Sequence, residues 1–164
     1  MSMKMSDISF NFSEKVVVVF GGSRGIGKEV CRQFMAAGAV VYCASRTMCS
    51  IDGVNNIYCD ISKPSNIWSV FKSLDTVDFV INVAGTNLCE PIEKITLSEW
   101  DRLMDVNLKS FFIICKQAVE KMKQTGGRIV NVSSIAGRNK SIVSGVHYTS
   151  SHHRAINAYI IVVF

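Results

Sequence analysis

Between Lys15 and Val132 the chain alternates short apolar runs with longer stretches in which apolar residues recur every three or four positions. Val16–Phe20 is the first run, β-branched and without a polar break, which predicts a strand buried on both faces. A glycine-rich turn follows. Ile26, Val30 and Phe34, four apart, then predict the inward face of a helix that Gly38 ends. Val40–Ala44 predicts a second strand and Ile57–Cys59 a short third, after which Pro64 opens a helix with Ile67, Phe71 and Leu74 turned inward. Phe79–Ile81 predicts a fourth strand. Thr96-x-x-Glu99 is a capping box ahead of a long helix whose apolar stripe runs through Trp100, Leu103, Met104, Leu108, Phe111, Cys115 and Met122. Gly126-Gly127 stops that helix before a fifth strand, Arg128–Val132. Repeated strand–helix–strand units with buried strands predict an α/β fold, a doubly wound parallel sheet with helices on both faces.

Composition narrows this to one domain. The 164 residues are 48% hydrophobic and 19% charged, which suits one core-rich globular unit over residues 15–164 behind a loose polar leader, residues 1–14. The six cysteines form no C-x-x-C pair and have no histidine at ligand spacing. They read as free thiols of a reducing compartment, so no metal site and a cytoplasmic location are expected. Val16–Phe20 is too short for a signal sequence or a membrane span. The net charge of +5 is spread along the chain, which argues against a nucleic-acid partner.

In a doubly wound sheet, ligands bind beyond the carboxyl ends of the strands, where the strand order reverses. The chemistry-bearing residues of this chain fall at those ends. Gly21-Gly22-Ser23-Arg24-Gly25-Ile26-Gly27 joins the first strand to the first helix. Gly21 suits a tight turn, Gly25 lets main chain approach a pyrophosphate, and Gly27 lets the helix pack closely on the sheet. After the second strand the chain reads Ala44-Ser45-Arg46-Thr47, without the carboxylate that would hold a ribose 2′-hydroxyl. Arg46 and Arg24 could instead clamp a 2′-phosphate, so NADP(H) is the expected cofactor. Asn107 lies between Met104 and Leu108 on the apolar stripe, where an unpaired amide would cost about 1–3 kcal/mol.

The glycine loop, spaced Gly-x-x-x-Gly-x-Gly, resembles that of the short-chain dehydrogenase/reductases, with Phe20 where the family usually has threonine. The resemblance runs from about Lys15 to Tyr148. Asp60-Ile61 resembles the pair that borders the adenine, and Asn82-Val83-Ala84-Gly85 resembles the Asn-Asn-Ala-Gly motif. Asn107 resembles the catalytic asparagine, and Asn131-Val132-Ser133-Ser134 the segment with the catalytic serine. The resemblance implies a Rossmann-like three-layer fold and hydride transfer between NADP(H) and a carbonyl, as in the 3-oxoacyl-acyl-carrier-protein reductases. It implies that Ser134, which fits the motif better than the alternative Ser133, hydrogen-bonds the substrate carbonyl, that Tyr148 donates the proton, and that Asn107 holds a water in the proton relay. The substrate would be a small or acyl-carrier-bound ketone, and the full-length family implies a homo-oligomer.

The pattern breaks after Tyr148. The family places a lysine four residues on, which binds the nicotinamide ribose and lowers the tyrosine pKa; this chain has His152. Imidazole is shorter and mostly neutral at pH 7. Arg154, six residues from Tyr148, falls on another face of a helix. From here the match decays into the apolar Tyr159–Phe164, and a C-terminally truncated product is expected, with Ile129, Val130 and Val132 on an uncovered sheet edge. Two function classes follow: an NADP-dependent reductase, or a catalytically silent remnant that serves as a nucleotide-binding module.

Overall fold

The computed structural model describes residues 10–138, 145–155 and 160–163, with the backbone alone at 154–155 and 160–163. Its sheet has the order β3-β2-β1-β4-β5-β6. The strands are β1 (Val16–Phe20), β2 (Val40–Ser45), β3 (Asn55–Tyr58), β4 (Phe79–Asn82), β5 (Gly127–Asn131) and β6 (Ile160–Val163). The first five pair in parallel. β1 is central because it can be: Val17–Phe20 carry no polar side chain and are wholly buried. The order reverses between β1 and β4, so the crevice of a doubly wound sheet opens above their carboxyl ends.

The helices are α1 (Gly25–Ala36), α2 (Pro64–Lys72), α3 (Leu97–Met104), α4 (Ser110–Met122) and α5 (Val146–Ala155). On one sheet face, Val18, Phe20 and Val80 pack with Ile67 and Phe71 of α2 and Ile114 and Met122 of α4. On the other, Val17, Val19, Val41 and Ile81 pack with Cys31 of α1. Two apolar layers against one buried sheet give the three-layer α/β/α architecture. Phe12 also joins the second layer, 5.0 Å from Phe34 and 5.4 Å from Phe79 between ring centroids. Residues 1–9 of the expected leader lie outside the described residues.

Four expectations need correction. β5 is not an uncovered edge: β6 returns antiparallel to it, Arg128 opposite Val162 and Val130 opposite Ile160. Residues 160–163 thus pair with the β5 backbone, and β3 and β6 are the outer strands of the described sheet. Ile26 is 65% exposed, because the close approach of Gly27 and Cys31 to the sheet sets the phase of α1 and turns Ile26 to the cleft side. The third and fifth strands start two residues and one residue earlier than expected, at Asn55 and Gly127. The long helix is not uniform either. Its capping box forms as expected, Thr96 Oγ1 accepting from Glu99 N–H while the Glu99 carboxylate accepts from Thr96 N–H. Between α3 and α4, however, Asp105–Lys109 widen into a π turn. Among the described residues no helix is long and apolar enough to cross a membrane.

Candidate active site

A cleft of about 600 Å³ opens where the strand order reverses. The ends of β1, β2, β3 and β4 bring Gly21, Ser23, Arg24, Gly25, Ile26, Arg46, Asp60, Ile61, Ala84 and Gly85 to its walls. Of the expected cofactor residues, Gly27 and Asn82 stand behind the wall. A Cβ on Gly27 would overlap the Gly21 carbonyl oxygen and lie 2.9 Å from its carbon, so only glycine lets α1 start this close to the loop. Gly25 has the opposite surroundings: at φ +53° it faces open space, with no atom within 4 Å of where a Cβ would stand. That empty cradle lies on the first turn of α1, whose N-cap Arg24 makes no side-chain cap bond. Free N–H groups and an unfilled concavity are what a pyrophosphate requires, so the residues present fit a dinucleotide.

The end of β2 supplies hydroxyls and cations. Ser45 and Thr47 each donate to Ser23 Oγ at 2.9 Å, tying the second junction to the glycine loop. Arg24 and Arg46 are both exposed on the rim of the cleft. Asp60 lies across from them. Partial burial pushes its carboxyl up, but hydrogen bonds from the Ser62 side chain and backbone, with the Arg46 and Lys63 charges, hold it below the usual carboxylate range. Arg102 of α3 also lines the cleft, a residue that sequence reasoning passed over because its helical position looked like plain solvent-facing surface.

The residues expected to be catalytic gather where α5 packs against the π turn and the short 3-10 turn Ile135–Gly137. Asn107, fully buried, pairs with the backbone of Thr86 just beyond β4. Its Oδ1 accepts from Thr86 N–H at 2.9 Å, and its Nδ2 donates to Thr86 O at 2.8 Å. The same Nδ2 is 3.3 Å from Ser151 Oγ, which itself donates to the Tyr148 carbonyl at 2.8 Å. Asn107 thus ties the β4 loop to the helix bearing Tyr148, and the π turn is what points it there. Ser134 caps the 3-10 turn, its Oγ accepting from Ala136 N–H at 3.2 Å. Tyr148 is half-buried, its ring edge-on to His152 with centroids 4.3 Å apart.

His152 is buried, and its Nδ1 lies 3.3 Å from Ser133 Oγ. Burial pushes the imidazole pKa down, so the ring is neutral at pH 7. Where the resemblance expects a cation, the structure has an uncharged ring tied to Ser133. Ser133, the alternative to Ser134 in the sequence, is the serine that meets His152, whereas the parts played by Ser151 and Thr86 come from elements far apart in sequence and were not legible there. Asn82 is withdrawn from the cleft: its Nδ2 donates to Asn131 Oδ1 across β4 and β5, with Cys115 Sγ beside both. Among the described residues, no group of histidine, cysteine and carboxylate side chains could hold a metal ion.

Comparison with known proteins agrees with this geometry. The sequence model of the family described as short chain dehydrogenase matches residues 15–159. The chain is 35% identical over 136 residues to a 3-oxoacyl-[acyl-carrier-protein] reductase of Rattus norvegicus, covering 76% of this chain and 58% of that protein. It is 31% identical over 144 residues to the dehydrogenase/reductase SDR family member 6 of Aquarana catesbeiana, covering 84% and 59%. Among solved structures, a short chain dehydrogenase of Leptospira borgpetersenii with bound NAD+ superposes with a TM-score of 0.84 at 27% identity, over 96% of this chain and 66% of that one. The chain spans about three-fifths of the length of the curated relatives it matches.

Proposed function

Because the chain belongs to the short-chain dehydrogenase family, whose members are oxidoreductases using nicotinamide cofactors, we propose that its cleft binds NADP(H) in preference to NAD(H) and serves reduction of a ketone. The observation that carries the reading is the end of β2, where Arg46 stands in place of a carboxylate and Arg24 faces the same rim. Two guanidiniums can hold a 2′-phosphate in a planar, multidentate way. Gly25 and the first turn of α1 would take the pyrophosphate, Asp60 and Ile61 the adenine side, and Ala84 and Gly85 the far ribose. When bound, the reduced nucleotide supplies hydride. Tyr148 would donate the proton to the developing alkoxide and Ser134 would hydrogen-bond the carbonyl oxygen, while Asn107 fixes the α5 helix against the β4 loop. The substrate class is a small or acyl-carrier-bound ketone such as a 3-oxoacyl group, the setting a reducing cytoplasm. All six cysteines are unpaired, as that setting requires.

A second reading, a catalytically silent nucleotide-binding module, draws on one observation: His152 is buried, neutral and turned to Ser133. A phenol of pKa ~10 is a weak proton partner at neutral pH unless a cation lowers it, and general acid catalysis contributes about 10²–10⁴-fold. The assay is NADPH oxidation with 3-oxoacyl thioesters and small ketones, run on the native chain, on Tyr148→Phe and on His152→Lys. On this second reading the native chain gives little or no turnover. Activity restored by His152→Lys would assign the defect to the missing lysine. Robust native turnover abolished by Tyr148→Phe would show that His152 suffices, and silence of every variant that still binds NADPH would favour the module.

A further inference from the structure

Three thiols that look scattered in sequence meet beneath the glycine loop. Cys31 on α1, Cys43 on β2 and Cys49 in the following turn are 0%, 1% and 4% exposed. Gly22 roofs them: a Cβ there would stand 2.7 Å from Cys31 Sγ and 3.0 Å from Cys43 Sγ, so the two sulfurs flank one point of the loop backbone. The Cys31 thiol donates to Gly22 O at 3.8 Å. The hydrogen bond between the Cys31 and Cys43 side chains, with burial, pushes Cys31 up. The same bond, with backbone N–H groups of Cys49 and Gly22, holds Cys43 below the usual thiol range despite its burial. The two thiols thus make one proton-sharing contact directly beneath Gly22.

We propose that Cys31 and Cys43 are a redox-active dithiol, oxidised to a disulfide by hydroperoxides, and that its state is coupled to the conformation of the nucleotide-binding loop at Gly22. The thiolate of one member of the pair attacks the distal peroxide oxygen, the O–O bond breaks, and the departing alkoxide or hydroxide takes a proton. The resulting sulfenic acid is attacked by the sulfur of the other member, the S–S bond forms, and the sulfenic oxygen leaves as water with that thiol's proton. The two thiols lose two electrons and the peroxide gains them. Closure to an S–S bond of about 2.05 Å draws both sulfurs together and removes the thiol proton that Gly22 O accepts, so the loop must rearrange.

The crosslink stands independently of the proposed cofactor; only its coupling to binding rests on that reading. The test uses the full chain carrying Cys89→Ser, which removes the exposed thiol. The protein is treated with hydrogen peroxide, alkylated under unfolding conditions and peptide-mapped. A linked Cys31–Cys43 peptide lighter by two hydrogens, restored by dithiothreitol, is expected. Full alkylation of both cysteines after oxidation, or a Cys43–Cys49 link in its place, would overturn the proposal. In a Cys31→Ser control the linked peptide should be absent, and should that variant fail to fold, the map of the parent still decides. In a thiol–disulfide buffer at equilibrium, bound NADPH should shift the pair roughly tenfold toward the dithiol, and the oxidised chain should bind NADPH roughly tenfold more weakly, the two effects being reciprocal. Equal crosslinking with and without bound nucleotide would refute the coupling. A reduced chain that binds no nucleotide would strike the cofactor reading, and the peptide map alone would then decide for or against the dithiol.

Discussion

Replacing Asn107 by alanine should destabilise the fold before it touches any chemistry. The buried amide makes three hydrogen bonds: two to the backbone of Thr86 and one to Ser151 Oγ. Ser151 keeps its bond to the Tyr148 carbonyl when the amide is removed, so its loss is modest. The Thr86 N–H and C=O lose their partner in a half-buried loop. An unsatisfied group of this kind costs about 1–3 kcal/mol. Two of them, partly relieved by water, give about 3 kcal/mol for Asn107→Ala. For a chain of this size that lowers Tm by roughly 6–12 °C. Urea unfolding followed by circular dichroism reads the change as a shift in midpoint at constant slope. Asn107→Asp keeps the acceptor for Thr86 N–H but aims a carboxylate at Thr86 O, so it should be no more stable than the alanine variant. A midpoint for Asn107→Ala equivalent to less than about 0.5 kcal/mol from the parent would refute the reasoning, since an exposed or water-bridged amide would behave that way.

Gly27→Ala should cost about 2 kcal/mol or more and weaken NADPH binding with it, because the new methyl meets the Gly21 carbonyl and not a yielding side chain; a thermal melt within 2 °C of the parent, about 0.5 kcal/mol, would contradict this. His152 gives a pH signature. Its folded pKa is lowered by burial, so the unfolded chain binds the proton more readily and stability falls as pH drops through the ordinary histidine value of about 6.5 toward the lowered one. Urea midpoints at pH 7.5 and 5.5 should therefore differ more for the parent than for His152→Gln, and identical pH slopes would show that the ring is not buried neutral.

The sheet and its switch point were legible because the signals are local. A run of valines marks β1 and the apolar stretch Val40–Ala44 marks β2, Thr96 and Glu99 mark a helix start, and the glycine spacing marks the loop. What escaped depends on contacts between distant residues. One widened turn at Asp105–Lys109 carries no residue-type signal of its own, yet it aims Asn107 at Thr86. The return of β6 beside β5 is a tertiary pairing, and an apolar tail reads the same in sequence whether it pairs or not. The exposure of Ile26 follows from how closely Gly27 approaches Gly21, which no hydrophobic stripe encodes. The thiol cluster was invisible for the same reason: positions 31, 43 and 49 converge only once α1 lies on β2.

The cofactor reading meets its most direct test in calorimetric titration of the folded chain with NADPH and NADH at one fixed ionic strength, repeated with Arg46→Asp. The structure predicts tighter binding of NADPH by tenfold or more, about 1.4 kcal/mol, and a preference for NADH once Arg46 becomes a carboxylate. Equal or tighter binding of NADH by the native chain would contradict the account.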